Sequence, residues 1–253
     1  MPTALITGAS AGLGVEFARQ LAASGDDLVL VARRQEPMEA LARELTDRHG
    51  VAVRVIAMDL REAGAADGLM KHLADRDIDL LVNNAGFGTH GAFATMPAET
   101  IAGMIDLNIR ALTDLCRAML PAMTARGSGA ILNVTSVAGL MPGPWLAVYY
   151  ATKAYVVSLS EALYEEVRGH GVAVTALCPG PTRTEFAKVA GMAQSPLFLA
   201  ADSPESVVRA GLRAVRRRRA LCLPGGNALL PLALRLSPRL LIRRAVAMAQ
   251  RGR

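Results

Sequence analysis

A chain of 253 residues fits one sizeable domain better than two small ones. With 52% hydrophobic and 4% aromatic residues the core must be aliphatic, and three scattered cysteines and four histidines without ligand spacing exclude a disulfide framework and suggest no metal site. The net charge of +6 belongs to the tail: Glu205 to Arg253 holds twelve arginines and one acid, leaving 16 basic and 21 acidic residues before it, a balance of −5.

In chain order, short apolar runs alternate with helical patterns. Thr3–Thr7 reads as a first strand that starts almost at once. No charged-then-apolar leader precedes it, so a cytoplasmic protein is expected. Gly14–Ser24 has a helical period, with Phe17 and Leu21 on one side and Gly25 as its stop. Leu28–Ala32 is a strand, Pro37–Gly50 a helix, Val51–Met58 a strand, Ala65–Ala74 a helix and Leu80–Asn83 a fourth strand. One long helix is expected over Pro97–Arg126, followed by a strand at Ala130–Thr135 and a helix at Tyr149–His170. Val172–Cys178 and Ala220–Leu223 complete the strands. These strands are continuous apolar runs, as when helices cover both faces of a parallel sheet. The reading is a single α/β domain of Rossmann type, a doubly wound parallel sheet with ligands at the carboxyl ends of its strands.

The first strand runs into Thr7-Gly8-Ala9-Ser10-Ala11-Gly12-Leu13-Gly14 and then into a helix. Glycines let the backbone turn tightly and approach a pyrophosphate, and free amides at the helix start face the anion. The spacing is G-x-x-x-G-x-G rather than the commoner G-x-G-x-x-G. This pattern resembles the loop of the short-chain dehydrogenase/reductase family, and the resemblance extends over about residues 3–185. It implies cofactor contacts at Gly8, Ser10, Gly12, Leu13 and Gly14.

The end of the second strand is where the adenosine ribose would lie. An acid there serves NAD, and arginine accommodates a 2′-phosphate. Ala32-Arg33-Arg34 carries no acid, so NADP(H) is expected, with Arg33 and Arg34 as its contacts. The family's second basic residue, within the glycine loop, is replaced here by Ala11. The resemblance further implies that Asp59, with Leu60, meets the adenine amino group. Asn83-Asn84-Ala85-Gly86 matches the family's N-N-A-G; asparagine side chains can tie strand ends together, and the resemblance implies cofactor contacts at Asn83, Ala85 and Gly86.

Tyr149 and Lys153 lie four apart at the start of a helix and share a face. A phenol has an ordinary pKa of about 10, and a neighbouring ammonium and the positive nicotinamide ring would lower it. Tyr149 can then protonate an alkoxide during reduction or take the alcohol proton during oxidation. Tyr150 and Tyr155 lack the four-residue offset to Lys153. Ser136 lies thirteen residues before Tyr149, the separation seen in similar enzymes, and would steady charge on the substrate oxygen. By resemblance, Lys153 also holds the nicotinamide ribose, and Asn108 completes a tetrad by holding a water that links Lys153 to solvent. Cys178-Pro179-Gly180-Pro181-Thr182 matches the family's P-G loop, implying that Pro179, Gly180 and Thr182 orient the nicotinamide. Residues 1–226 thus read as a dinucleotide-binding catalytic domain, and residues 227–253 as a basic amphipathic extension of that domain.

Substrate contacts are expected from Phe87–His90, from Gly139–Leu146 and from the loop after Thr184, which carry Leu140, Met141, Pro142, Pro144, Trp145, Leu146, Phe186 and Phe198. They suggest an apolar pocket for a lipophilic carbonyl or secondary alcohol, such as a ketoacyl chain or a ring ketone. The leucine- and arginine-rich stretch Ala228–Gln250 is interrupted by charges and by Pro231 and Pro238, so it does not span a membrane. It can lie on an anionic membrane surface, close over substrate, join a partner subunit or pack on its own domain. The resemblance implies a homodimer or homotetramer paired through residues 97–126 and 149–170. Two further readings are a non-catalytic NADP(H)-sensing protein, against which the full tetrad speaks, and nucleic-acid binding by the tail. The latter lacks aromatic interleaving, so no nucleic acid is expected.

Overall fold

The computed structural model describes residues 1–186, 190–191, 201–225 and 230–250, apart from the Arg235 side chain. Seven strands form one sheet in the order β3-β2-β1-β4-β5-β6-β7, and every pairing is parallel. They are β1 (Thr3–Thr7), β2 (Asp27–Ala32), β3 (Val53–Ala57), β4 (Leu80–Asn83), β5 (Gly129–Val134), β6 (Val172–Leu177) and β7 (Leu221–Cys222). The helices are α1 (Gly12–Ala22), α2 (Gln35–His49), α3 (Ala65–His72), α4 (Ala98–Ile105), α5 (Leu112–Arg126) and α6 (Ala147–Val167). After them come α7 (Pro204–Arg216), α8 (Leu230–Leu236) and α9 (Arg239–Gln250).

Strand side chains alternate between the two faces of the sheet, so each face has its own core. Ala4 and Ile6 of β1 pack with Phe17 of α1, Leu45 of α2 and Leu212 of α7. Leu5, between them, packs on the other face with Leu69 of α3, Leu115 of α5 and Val156 of α6. Strand order reverses between β1 and β4, which opens a crevice at the carboxyl ends of those strands.

Most expected elements lie within a few residues of their observed bounds, and the differences have local causes. The helix expected over Pro97–Arg126 is three pieces, with a π-helical segment, Asp106–Ala111, joining α4 to α5. Asn108 lies within that wider turn and is 1% exposed. Helix α7 has no counterpart among the sequence expectations, although Ser203 caps it by accepting from Ser206 N and Pro204 begins it. The tail is two helices, not one, because Pro238 cannot continue α8.

Candidate functional site

A cleft of about 560 Å³ opens at the carboxyl ends of the central strands. One end is the turn between β1 and α1. Gly8 and Gly12 have φ of +66° and +56°, the left-handed region that glycine adopts without cost. A Cβ on Gly14 would collide with the Gly8 carbonyl, so that glycine lets α1 close on the turn rather than touching a ligand. Ala11 precedes α1 without a side-chain cap, leaving amides at the helix start for an anion. Gly8, Ser10, Gly12 and Leu13 all face the cleft.

Arg33, Arg34, Asp59 and Leu60 line the same end. Arg34 donates to Ser10 O at 3.1 Å and approaches Glu185 at 3.5 Å across the cleft. The carboxylate of Asp59 is engaged by Arg61, whose guanidinium and backbone N–H both donate to it, and this holds Asp59 below the usual carboxylate range. Arg61 is thus a partner that sequence reasoning missed.

The two asparagines ending β4 divide their work. Asn83, expected as a cofactor contact, is not among the residues lining the cleft: it is buried and donates to Asn133 Oδ1 at 2.9 Å, and Asn133 donates to Ser160 Oγ, tying β4, β5 and α6 together. Asn84, which was not singled out, reaches the cleft and donates to Thr7 O at 2.9 Å and Gly8 O at 3.2 Å, fastening the glycine turn. Ala85 and Gly86 follow along the cleft wall. A Cβ on Gly86 would stand 3.0 Å from Asn108 Oδ1 and 3.4 Å from Lys153 Nζ.

At the centre, Tyr149 and Lys153 are 9% and 5% exposed, and both face the cleft with Ser136. Lys153 donates to Val134 O at 2.9 Å and lies 5.9 Å from the centre of the Tyr149 ring. Burial lowers its pKa to about 8, with the nearby Cys178 working against the shift. Burial pushes the Tyr149 phenol up, while a hydrogen bond with Ser136 pulls the other way. For the protein alone, desolvation is the leading cause for both groups, raising the phenol and lowering the amine. Ser136 is fixed by accepting from Ala138 N at 3.1 Å and donating to Pro179 O at 3.4 Å. Pro179, Gly180 and Thr182 line the cleft beside it, with Thr182 Oγ1 donating to Gly180 O.

Asn108 stands behind the cleft wall. Its Nδ2 donates to Phe87 O at 2.9 Å and Thr152 Oγ1 at 3.1 Å, and its oxygen accepts from Phe87 N at 3.1 Å. Both donors are spent on the protein, so the side chain clamps the Gly86–Phe87 backbone, and its oxygen keeps one lone pair.

The family model for short chain dehydrogenases matches residues 2–194. The chain belongs to that family. As a short-chain dehydrogenase it is an oxidoreductase. The human very-long-chain 3-oxoacyl-CoA reductase is 33% identical over 216 residues, covering 84% of this chain and 68% of that one. A solved short-chain dehydrogenase from Sphingobium yanoikuyae in complex with NADPH is 38% identical, with a TM-score of 0.85, covering 93% and 92% of the two chains. The bulky-bulky ketone specific alcohol dehydrogenase from Comamonas testosteroni is 33% identical, with a TM-score of 0.82 and coverage of 93% and 91%. These relatives are named as enzymes, so the sensing alternative is set aside.

On the substrate side of this short-chain dehydrogenase, Phe87, Met141, Leu146 and Phe186 line the cleft as expected. Leu140 instead packs inward with Val157 and Cys178. Pro142, Pro144 and Trp145 are not among the lining residues, and Phe198 lies outside the described residues. His90 is turned to the tail, meeting Gln250 O at 3.2 Å. Two glycines were missed: a Cβ on Gly88 would stand 2.8 Å from the Tyr149 ring, and one on Gly143 would enter the Tyr150 ring. Tyr150 and Gln250, which also line the cleft, carried no sequence signal beyond their types.

Proposed function

We propose that this chain is an NADP(H)-linked carbonyl reductase, or in reverse a secondary-alcohol dehydrogenase, acting on lipophilic ketones with Tyr149 as its acid and base. The observation that carries it is the gathering of Tyr149, Ser136 and Lys153 around one point of a cleft whose far end holds the glycine turn and two arginines. The cofactor fits what is present. Glycines at 8 and 12 keep the turn open, α1 starts uncapped, and the β2 end presents cations without a carboxylate of its own. Gly8, Ser10, Gly12 and Leu13 would hold the phosphates, Arg33 and Arg34 the 2′-phosphate, and Asp59 and Leu60 the adenine. Ala85, Gly86 and Lys153 would hold the ribose beside the nicotinamide, and Pro179, Gly180 and Thr182 the ring. Bound there, NADP(H) supplies or accepts the hydride.

The chain's own residues handle the proton. Ser136 would turn its one hydroxyl hydrogen from Pro179 O, a long contact of 3.4 Å, to the substrate oxygen, where negative charge grows during reduction. Tyr149 gives its phenolic proton to that oxygen, and in the reverse direction its phenolate takes the proton back. Lys153, with a pKa of about 8, is partly ammonium and partly amine just above neutrality, so it can return a proton to the phenolate. Phe87, Met141, Leu146 and Phe186 exclude water and favour an apolar substrate body.

A screen of NADPH oxidation over ketones of graded chain length and ring size tests this reading. Efficiency should climb as apolar surface is added. Equal or better turnover of small, highly hydroxylated carbonyls would overturn the substrate class, and NADH outperforming NADPH would overturn the cofactor.

For assembly, a homodimer or homotetramer through α4–α5 and α6 is the proposal, supported by Ile105 and Tyr155 lying exposed on those helices, and light scattering tests it. Among the described residues no helix is long and apolar enough to cross a membrane. The outer face of α8 and α9 exposes Leu232, Leu236, Leu240, Leu241 and Met248 beside Arg239, Arg243 and Arg244. That face suits peripheral contact between a cytoplasmic enzyme and an anionic lipid surface. Sedimentation with anionic but not neutral vesicles checks it.

A further inference from the structure

The last described turn of the chain does something none of the family motifs requires. In α9, Ile242 and Val246 are partly buried and Gln250 is 6% exposed, a stripe at four-residue spacing that turns inward while the arginines turn out. Gln250 then reaches the catalytic cleft and lines it. Its Nε2 donates to Tyr150 Oη at 3.0 Å, a contact spanning a hundred residues of sequence. The backbone carbonyl of Gln250 accepts from His90 Nε2 at 3.2 Å; a carbonyl cannot donate, so the histidine carries its hydrogen on Nε2 in this contact.

Tyr150 is the residue after the proposed acid, and the two rings meet edge-on with centroids 6.2 Å apart. Gly143 leaves no room above the Tyr150 ring, which fixes its position. Because the Tyr150 oxygen already accepts from Gln250, its own hydrogen remains to be donated. Burial raises the Tyr150 pKa, so that hydrogen is kept at neutral and mildly basic pH. The surrounding substrate wall of Met141, Leu146 and Phe186 is apolar. A hydroxyl donor standing in such a wall rejects a purely hydrocarbon neighbour, since it would lose water without gaining a partner.

We propose that Tyr150, oriented by Gln250 from the C-terminal helix, is a specificity-determining contact that recognises a second hydrogen-bond acceptor on the substrate, a short distance along the chain from the reacting carbonyl. Tyr150 touches the substrate; Gln250 is a positioning residue. The substrate class narrows from lipophilic ketones to lipophilic ketones bearing a neighbouring carbonyl, ester or ether oxygen.

This inference rests on the carbonyl-reductase reading, and the experiment separates the two. With full-length protein and NADPH, kcat/KM is measured for a β-keto ester and for a straight-chain ketone of equal heavy-atom count. The wild type should favour the keto ester, and Tyr150→Phe and Gln250→Leu should each lower that preference about five- to tenfold, the worth of one hydrogen bond. The double variant should fall no further than Tyr150→Phe alone, because the two act as one unit. Gln250→Glu, which keeps length but replaces the donor, should behave as Gln250→Leu. A preference unchanged in Tyr150→Phe, additive losses in the double variant, or a wild type indifferent between the two ketones would each overturn the inference while leaving the reductase reading intact. A wild type that reduces neither ketone would defeat both.

Discussion

At the floor of the cleft, polar side chains are fastened to backbone carried by the sheet. Lys153 bonds to Val134 O at the end of β5, Ser136 to Pro179 O, and Asn108 to both polar atoms of the Phe87 peptide. At the roof, the fastenings are fewer and run between side chains and chain segments far apart in sequence, as in Gln250 to Tyr150 and Gln250 to His90. A group that must meet a reacting atom within a few tenths of an ångström is best held by regular structure. Groups that choose among substrates can sit on loops and a terminal helix, where change costs the fold little. The two halves should therefore respond differently to substitution.

The largest effect is expected at the floor. Tyr149→Phe removes the proton donor and leaves the ring packed against Phe186, whose centroid is 5.3 Å away. Turnover should drop by roughly 10³-fold, within the range for loss of a general acid, while NADPH binding measured by fluorescence stays within about twofold of wild type. A variant that keeps a tenth of its activity would show that the floor's chemistry lies elsewhere. Next in size is the cofactor end. Arg33→Asp puts a carboxylate where a 2′-phosphate is expected, and the ratio of kcat/KM for NADPH over NADH should fall about 30-fold, a little over 2 kcal/mol of lost pairing and added repulsion. An unchanged ratio would place the phosphate contact on Arg34 or off the β2 end.

Gly88→Ala examines the seam between floor and roof. Its new methyl would press on the Tyr149 ring from 2.8 Å, and either the loop or the ring must give. If the floor is the more rigid partner, the loop yields and kcat falls less than about tenfold with KM rising. A kcat loss as deep as that of Tyr149→Phe, with KM unchanged, would mean that the ring moves and the contrast in rigidity is wrong.

The legibility of the molecule follows the same division. Strands β1 to β6 could be read because each is a mostly aliphatic run, broken by single polar residues such as Arg54 in β3 and Thr175 in β6. The glycine turn and the Tyr149–Lys153 pair carry spacings that backbone geometry explains, and Ser136 stood out by the offset from Tyr149 that similar enzymes share. The π-helical segment at Asn108 was invisible, since Asp106–Ala111 has no composition that separates it from α-helix. Asp59 was visible as an acid at a strand end, but its engagement by Arg61 two residues on depends on a turn that pattern reading does not resolve. Gln250 could not have been found at all. Its role comes from where α9 comes to rest, and that is settled by tertiary contacts with Tyr150 and His90 rather than by local sequence.

The smallest expected effect concerns the proton inventory of the floor. Lys153 titrates near 8 in the folded chain and near its ordinary 10.5 when unfolded. Between those values the unfolded lysine binds more protons than the folded one, so this group's contribution to stability grows as pH rises through the window and is lost again as pH falls towards 8. Below 8 both states carry the proton and the slope vanishes. Lys153→Met removes this titration, and it also leaves Val134 O without its donor, which adds a constant offset at every pH. Urea unfolding of the two proteins should therefore show a difference that shifts in favour of wild type by on the order of 1 kcal/mol over the first pH unit above 8. Tyr149 acts in the opposite sense above about 10, and the buried Cys116 and Cys178 thiols, pushed up to about 12, do so from about 9, but both proteins share these groups, so the difference between them reports the lysine. A pH-independent difference would mean that the amine is solvated in the folded state, and the floor would then be wet rather than the dry, fastened surface described above.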